Sequence, residues 1–156
     1  MAAEHEVKAR AYRLVKEYLA ELFEEQVHDE EDDHIYVRYG STVLEISVEP
    51  YGPEDASVVV MAYCVQDVPT DEELMASLLE LNHQIPFGAF SLVGSDIFFS
   101  YSLFGRNLDR RGLLGALAAV ATVSDDYDDR IVAEFGGHTA LEKIQDTGGR
   151  RERIEG

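Results

Sequence analysis

One cysteine, Cys64, stands in the 156 residues, so no intrachain disulfide can form. Its place in the apolar run SVVVMAYCV predicts a buried, unreactive thiol and a reducing compartment. Basic residues are scarce: 13 Lys and Arg face 31 Asp and Glu, for a formal net charge of -18. That charge repels phosphate backbones and argues against nucleic acid as a partner, while it favours basic partners and solubility. No apolar run approaches the roughly 18 residues of a membrane span. The opening MAAEHEVKARAYRLVKEYL also lacks the uninterrupted apolar stretch of a signal peptide. A cytoplasmic protein without membrane partners is expected.

Chemistry-bearing signatures are missing too. There is no GxSxG elbow, no GxGxxG after the first expected strand and no GxxxxGK[ST] phosphate loop. The histidines show neither HExxH nor Cys/His zinc spacing, so they read as surface or turn residues and no metal is expected. Asp125 and Asp129 in SDDYDDRI share a helix side, but hard cations need more oxygen ligands in a defined loop or cage, and a solvated acidic face is the simpler reading. Neither catalytic residues nor a cofactor are expected.

What is present is the pattern of one globular domain, 46% hydrophobic and 28% charged. Residues 4–26 carry Val7, Ala11, Leu14, Val15, Tyr18 and Leu22 at helical spacing, and predict a first helix. HDEEDDH then reads as a solvated connection. In HIYVRYGSTVLEISVEPYG two alternating runs flank Gly40-Ser41, a tight turn that pairs Tyr39 with Thr42, Val37 with Leu44 and Ile35 with Ile46. Residues 57–66 are apolar on both faces and want cover on both sides. Thr70 and Glu73 form a capping-box signature for a second helix ending near His83, before Ile85-Pro86.

Residues 81–105, LNHQIPFGAFSLVGSDIFFSYSLFG, hold three glycines, six aromatics and one acidic residue. A turn at Gly94-Ser95 pairs Val93 with Asp96, Leu92 with Ile97, Phe90 with Phe99 and Gly88 with Tyr101, which gives one strongly apolar face. Asn107 is the expected N-cap of a long third helix that stops at Gly136-Gly137, with Gly112, Ala116 and Ala119 as a small stripe for close packing on the sheet. A short helix over 140–145 and a mobile tail, GGRRERIEG, complete the chain. The expected fold is α+β: one domain over residues 1–147 in the order α-β-β-β-α-β-β-α, an antiparallel curved sheet packed with helices, and a tail over 148–156.

The stretch LNHQIPFGAFSLVGSDIFFSYSLFG followed by LDRRGLLGALAAVATVSDDYDDRI resembles the YbjN family and the related bacterial chaperones of type III secretion, over residues 4–135. The telling elements are the Leu-Asn pair closing the second helix, the Gly-Ala-Phe strand, the aromatic strand after it and the Asp-rich patch around Tyr127. The resemblance implies a secretion-chaperone-like fold and a homodimeric, non-enzymatic module that holds a segment of a client protein or peptide on apolar patches.

On this reading Phe87, Phe98 and Phe104 rim a trough floored by Ala89, Ser100 and Ser102, which serves a client or a second subunit. The competing reading puts a helix of the same chain over that face. Arg106 and Arg110, with Asp125, Asp126 and Asp129, are candidate polar contacts for a partner, against local pairing among surface charges. Phe98→Asp is expected to leave the monomer folded and to abolish association. The alternative function is a regulatory sensor with a small-ligand pocket between the sheet and the third helix.

Overall fold

Ala11, Val15 and Leu19 recur every four residues, which sets them on one side of a helix. In the computed structural model of the chain, which describes residues 2–24, 26–29, 34–40 and 42–139, that helix is α1 (Ala2–Leu22) and these three are its buried stripe. Leu14, Tyr18 and Leu22 only flank the stripe. The helix stops short of residue 26 because the chain enters β1 (Gln26–Asp29), antiparallel to β2 (His34–Tyr39). The charged run concealed this edge strand, whose pairing is made by backbone groups that any side chain supplies.

The first hairpin has the register its pattern predicts. Between β2 and β3 (Thr42–Tyr51), Tyr39 lies opposite Thr42, Val37 opposite Leu44 and Ile35 opposite Ile46. β4 (Asp55–Gln66) begins two residues before the expected start and pairs β3 on one side. α2 (Glu72–Gln84) is capped by Asp71, whose carboxylate accepts from the Leu74 amide at 2.8 Å, and not by Thr70. A cap one residue later turns Leu74 and Leu78 inward, and they are the buried residues of α2. The second hairpin joins β5 (Ala89–Val93) to β6 (Asp96–Phe104), again in the expected register from Val93–Asp96 to Phe90–Phe99.

After a 3-10 turn at Gly105–Asn107 comes α3 (Arg110–Phe135), whose N-cap is Asp109, accepting from the Gly112 amide at 2.6 Å; Asn107 lies inside the preceding turn. Of the expected small stripe only Ala116 is buried, in company with Leu113, Leu117, Val120 and Ala121, while Gly112 is exposed. The helix ends at Gly136, whose φ of 92° suits glycine, and β7 (His138–Thr139) follows. The expected helix at 140–145 and tail at 148–156 lie outside the described residues.

The strands form one antiparallel sheet in the order β1-β2-β3-β4-β6-β5, and the last residues of β4, Val65 and Gln66, pair with β7. α1 and α3 pack on one face, over a core that joins Ile35, Leu44, Ile46, Val58, Val60 and Phe99 to Val15, Leu19, Leu113 and Leu117. Full burial of each such side chain stabilises the fold by about 1.5–3 kcal/mol.

α2 does something different: it lies against the sheet edge at β5. There Asn82 bonds both backbone groups of one strand residue. Its Oδ1 accepts from the Phe90 amide at 2.7 Å and its Nδ2 donates to the Phe90 carbonyl at 3.1 Å, as a neighbouring strand would. The Leu-Asn pair at the end of the helix is thus an edge plug. Asn82→Ala is expected to lower the unfolding free energy by about 1–2 kcal/mol in urea titration, because both Phe90 groups lose their partner at once. A change below a few tenths of a kcal/mol would show that water replaces the amide without loss.

Candidate functional site

The face of the sheet opposite α1 and α3 is built from every second residue of the central strands. Register sets Glu45 beside Met61, Met61 beside Ser100 and Ser100 beside Ala89; one row away Ser47, Val59 and Ser102 line up, and at the other side Tyr63, Phe98 and Ser91. None of these apolar residues belongs to the core cluster, and no described helix packs on them. Val59 and Met61 are partly exposed, Tyr63 is 42% exposed and Phe104 49%. The expected trough of Ala89, Ser100 and Ser102 is therefore the outer part of a broader apolar strip that crosses β4. The signal for the strip was the run 57–66, apolar on both faces; only one of those faces is covered by helices.

Two local irregularities reshape the rims. Gly88 has φ +93°, which breaks the pleat ahead of β5, and Phe87 is turned over so that its ring meets Tyr101, a residue of the helix-covered face, at 6.0 Å between centroids. Phe87 is exposed but stands apart from Phe98, and Gly88 lies against Phe99 rather than Tyr101. In β4 the register shifts between Tyr63 and Val65, so that Cys64 and Val65 are both buried and Val65 leaves the strip.

Phe98 faces the open side yet is only 8% exposed, because Tyr63 covers it with ring centroids 4.3 Å apart. A carboxylate at position 98 would be buried without a partner, which makes Tyr63, and not Phe98, the residue at which to disturb the face while sparing the fold. At the other end Phe104 meets Tyr51 edge-on at 5.9 Å, and the Arg106 guanidinium lies over its ring at 5.1 Å. Arg106 is held by the buried Asp55, which accepts from the Arg106 and Ala56 amides and stands 3.1 Å from the Arg106 Nε. Phe104, Tyr51 and Arg106 thus form one fixed end of the strip.

The remaining polar candidates lie elsewhere. Arg110 pairs with Glu21 at 2.9 Å, both exposed, a contact worth about 0–1 kcal/mol. Asp125 accepts from the Thr42 hydroxyl at 2.8 Å and so ties the middle of α3 to the first hairpin, on the helix side. Asp126 and Asp129 are exposed on the same helix, and Arg130 stacks on Tyr127, whose ring meets Phe90. The structure does not bring these acids together with the trough.

Cys64 donates to the Ser124 hydroxyl at 3.3 Å, and burial pushes its thiol up to about 12, against the smaller downward pull of that bond. It is a protonated packing group at neutral pH. Among the described residues no group of three or more His, Cys, Asp and Glu is placed to hold a metal ion, and no helix is long and apolar enough to cross a membrane. Between the sheet and α3, where the sensor alternative placed its pocket, Leu113, Leu117 and Val120 are fully buried.

Three comparisons bear on this arrangement. Curated proteins give no match. Among solved structures, chains similar in fold occur in the HopA1–SchA chaperone–effector complex (TM-score 0.59, 12% identity, covering 78% of this chain and 96% of that one) and in the ExsC–ExsE complex (0.59, 14%, 79% and 94%). The Yersinia pestis type III secretion chaperone SycH in complex with a stable fragment of YscM2 supplies a third (0.55, 16%, 74% and 98%). At these identities the likeness is one of fold, and it confirms the expected architecture. The sequence itself matches a family model over residues 9–143, from α1 past the end of α3. The chain belongs to the TY-Chap1 family, the type III secretion (YopN, CesT) and YbjN peptide-binding chaperones 1.

Proposed function

We propose that this chain is a non-enzymatic, chaperone-like adaptor of the cytoplasm that acts as a homodimer and holds a segment of a client polypeptide on the open face of its sheet. The observation that carries this reading is the uncovered strip of Val59, Met61, Tyr63 and Phe104 on a sheet whose other face packs against α1 and α3. Such a strip meets water unless a partner supplies the second layer, and the small floor of Ala89, Ser100 and Ser102 leaves room for incoming side chains. Membership of a peptide-binding chaperone family supports the same assignment. A second copy has a place of its own on the outer side of α2, where Met75 and Leu79, four residues apart, are 42% and 70% exposed.

The two roles separate by mutation. Tyr63→Asp is expected to remain a folded dimer by light scattering while losing client capture from the native cytosol; Leu79→Asp is expected to become monomeric and to keep client contact. Loss of the dimer in Tyr63→Asp would assign the sheet face to the second subunit and overturn this division.

A further inference from the structure

Arg106 is exposed and yet fixed. Its side chain is 65% exposed, but its amide donates to Asp55 Oδ1 at 3.0 Å, its Nε stands 3.1 Å from Asp55 Oδ2, and its guanidinium lies over the Phe104 ring at 5.1 Å. Asp55 is buried; its Oδ1 accepts from two amides, whereas its Oδ2 makes no hydrogen bond and has, among the described residues, the guanidinium alone to balance it. Swinging Arg106 away would leave a buried carboxylate without its counter-charge, so the buried group holds the exposed one in place.

This anchoring uses one side of the guanidinium. Of its five N–H donors Asp55 takes the Nε side, and the two Nη groups make no hydrogen bond or ion pair among the described residues. They belong to the Phe104 end of the open strip, which Phe104 and Tyr51 close with rings 49% and 60% exposed. A planar donor pair whose orientation is already set, next to exposed aromatic surface, matches a carboxylate: the fork takes both oxygens and little side-chain freedom remains to be lost. Arg110 lacks this setting, since its Nη1 is already on Glu21 and both side chains are open to water.

The surroundings oppose a loosely held anion. The net charge is -18, Glu54 stands in the turn just before Asp55, and Glu49, opposite Ser57, is met by Lys8 at 3.8 Å. An acidic group is therefore retained here by direct contact with Arg106 and not by general attraction. We propose that Arg106 selects the client: the segment on the strip carries an Asp or Glu beside its apolar stretch, and that carboxylate sits on the open Nη pair at the Phe104 end. This rests on the assignment of the face to a client.

Fluorescence anisotropy with the full chain tests this with labelled peptides of about twelve residues that share one apolar centre of about six. They carry Glu before the centre, Glu after it, Gln at both places or Lys at both places. The expected result is that one of the two Glu peptides binds about tenfold tighter than the Gln peptide, the order opposite to the one that net charge alone produces. In the double variant Asp55→Asn with Arg106→Gln, which neutralises both members of the pair and whose folding is checked by denaturation, the Glu and Gln peptides are expected to bind alike. Arg106→Lys, which keeps the charge but not the fork, is expected to lose most of the gain.

If neither Glu peptide binds tighter than the Gln peptide, while all are lost in Tyr63→Asp, the carboxylate anchor is overturned and the client face stands. A Glu gain that persists in the double variant would place the carboxylate on another cation and overturn the role of Arg106. Lys-flanked binding alone, untouched by Tyr63→Asp, would mean attraction by net charge and overturn both the anchor and the client face.

Discussion

Replacing Phe99 by alanine is expected to lower the free energy of unfolding by about 3–5 kcal/mol, a large part of the stability of a domain of this size. Phe99 is fully buried and is the largest such side chain. It sits where three parts of the fold meet: it pairs Ala62 of the central strand, lies opposite Phe90 of the edge strand with rings 4.9 Å apart, and Phe90 in turn contacts Tyr127 of α3. Truncation removes apolar area from the core and leaves a cavity that close-packed neighbours fill only in part. Equilibrium denaturation measures the loss, and a value under about 1.5 kcal/mol would mean that the hairpin repacks freely around the site.

The second large effect is expected at Gly88→Ala, about 2–6 kcal/mol, from two terms that act together. At φ +93° an L side chain is strained, and a Cβ there would stand 2.6 Å from the Phe99 ring and 2.8 Å from the Ser100 carbonyl oxygen. Neither neighbour can yield: the ring is locked in the core and the oxygen belongs to a paired strand. Gly94→Ala, by contrast, has a similar positive φ but nothing within 4 Å, so it isolates the backbone term. If the two variants lose the same stability, crowding against Phe99 contributes nothing and the account of Gly88 is wrong.

These positions also show what the sequence made legible. Both hairpin registers followed from alternation around a glycine-containing pair, because the side-chain period of a strand is two and each turn leaves only one register that puts the apolar set inward. The third helix, the buried thiol and the family were legible for the same kind of reason, a long pattern with one consistent solution. Phe87 was not, since a single glycine at positive φ reverses the side to which the residue before it points, and nothing in the letters FGAF announces it. Cys64 and Val65 were misread as members of opposite faces for want of the register shift between Tyr63 and Val65. β1 escaped notice because the backbone groups that make its pairing are the same in a charged run as in an apolar one.

The N-caps moved by one or two residues, from Thr70 to Asp71 and from Asn107 to Asp109, since neighbouring residues of equal capping ability differ only in which phase of the helix faces the core. For the candidate site, the outward hairpin residues Ala89, Ser100, Ser102 and Phe104 were readable from parity. Their continuation through Val59, Met61 and Tyr63 required knowing that β4 is the neighbour of β6. Sequence order alone does not give that, because α2 and β5 intervene.

The most direct test of the client face is a photo-reactive phenylalanine analogue placed at position 63, with the same analogue at position 114 as control, followed by irradiation in native cells. Tyr63 stands on the open strip, whereas Leu114, 38% exposed, lies on α3 on the packed side. Covalent adducts to a second polypeptide from position 63 and none from position 114 are the expected result. Adducts from position 114 alone, or from 63 only to another copy of this chain, would contradict the assignment of the open sheet face to a client.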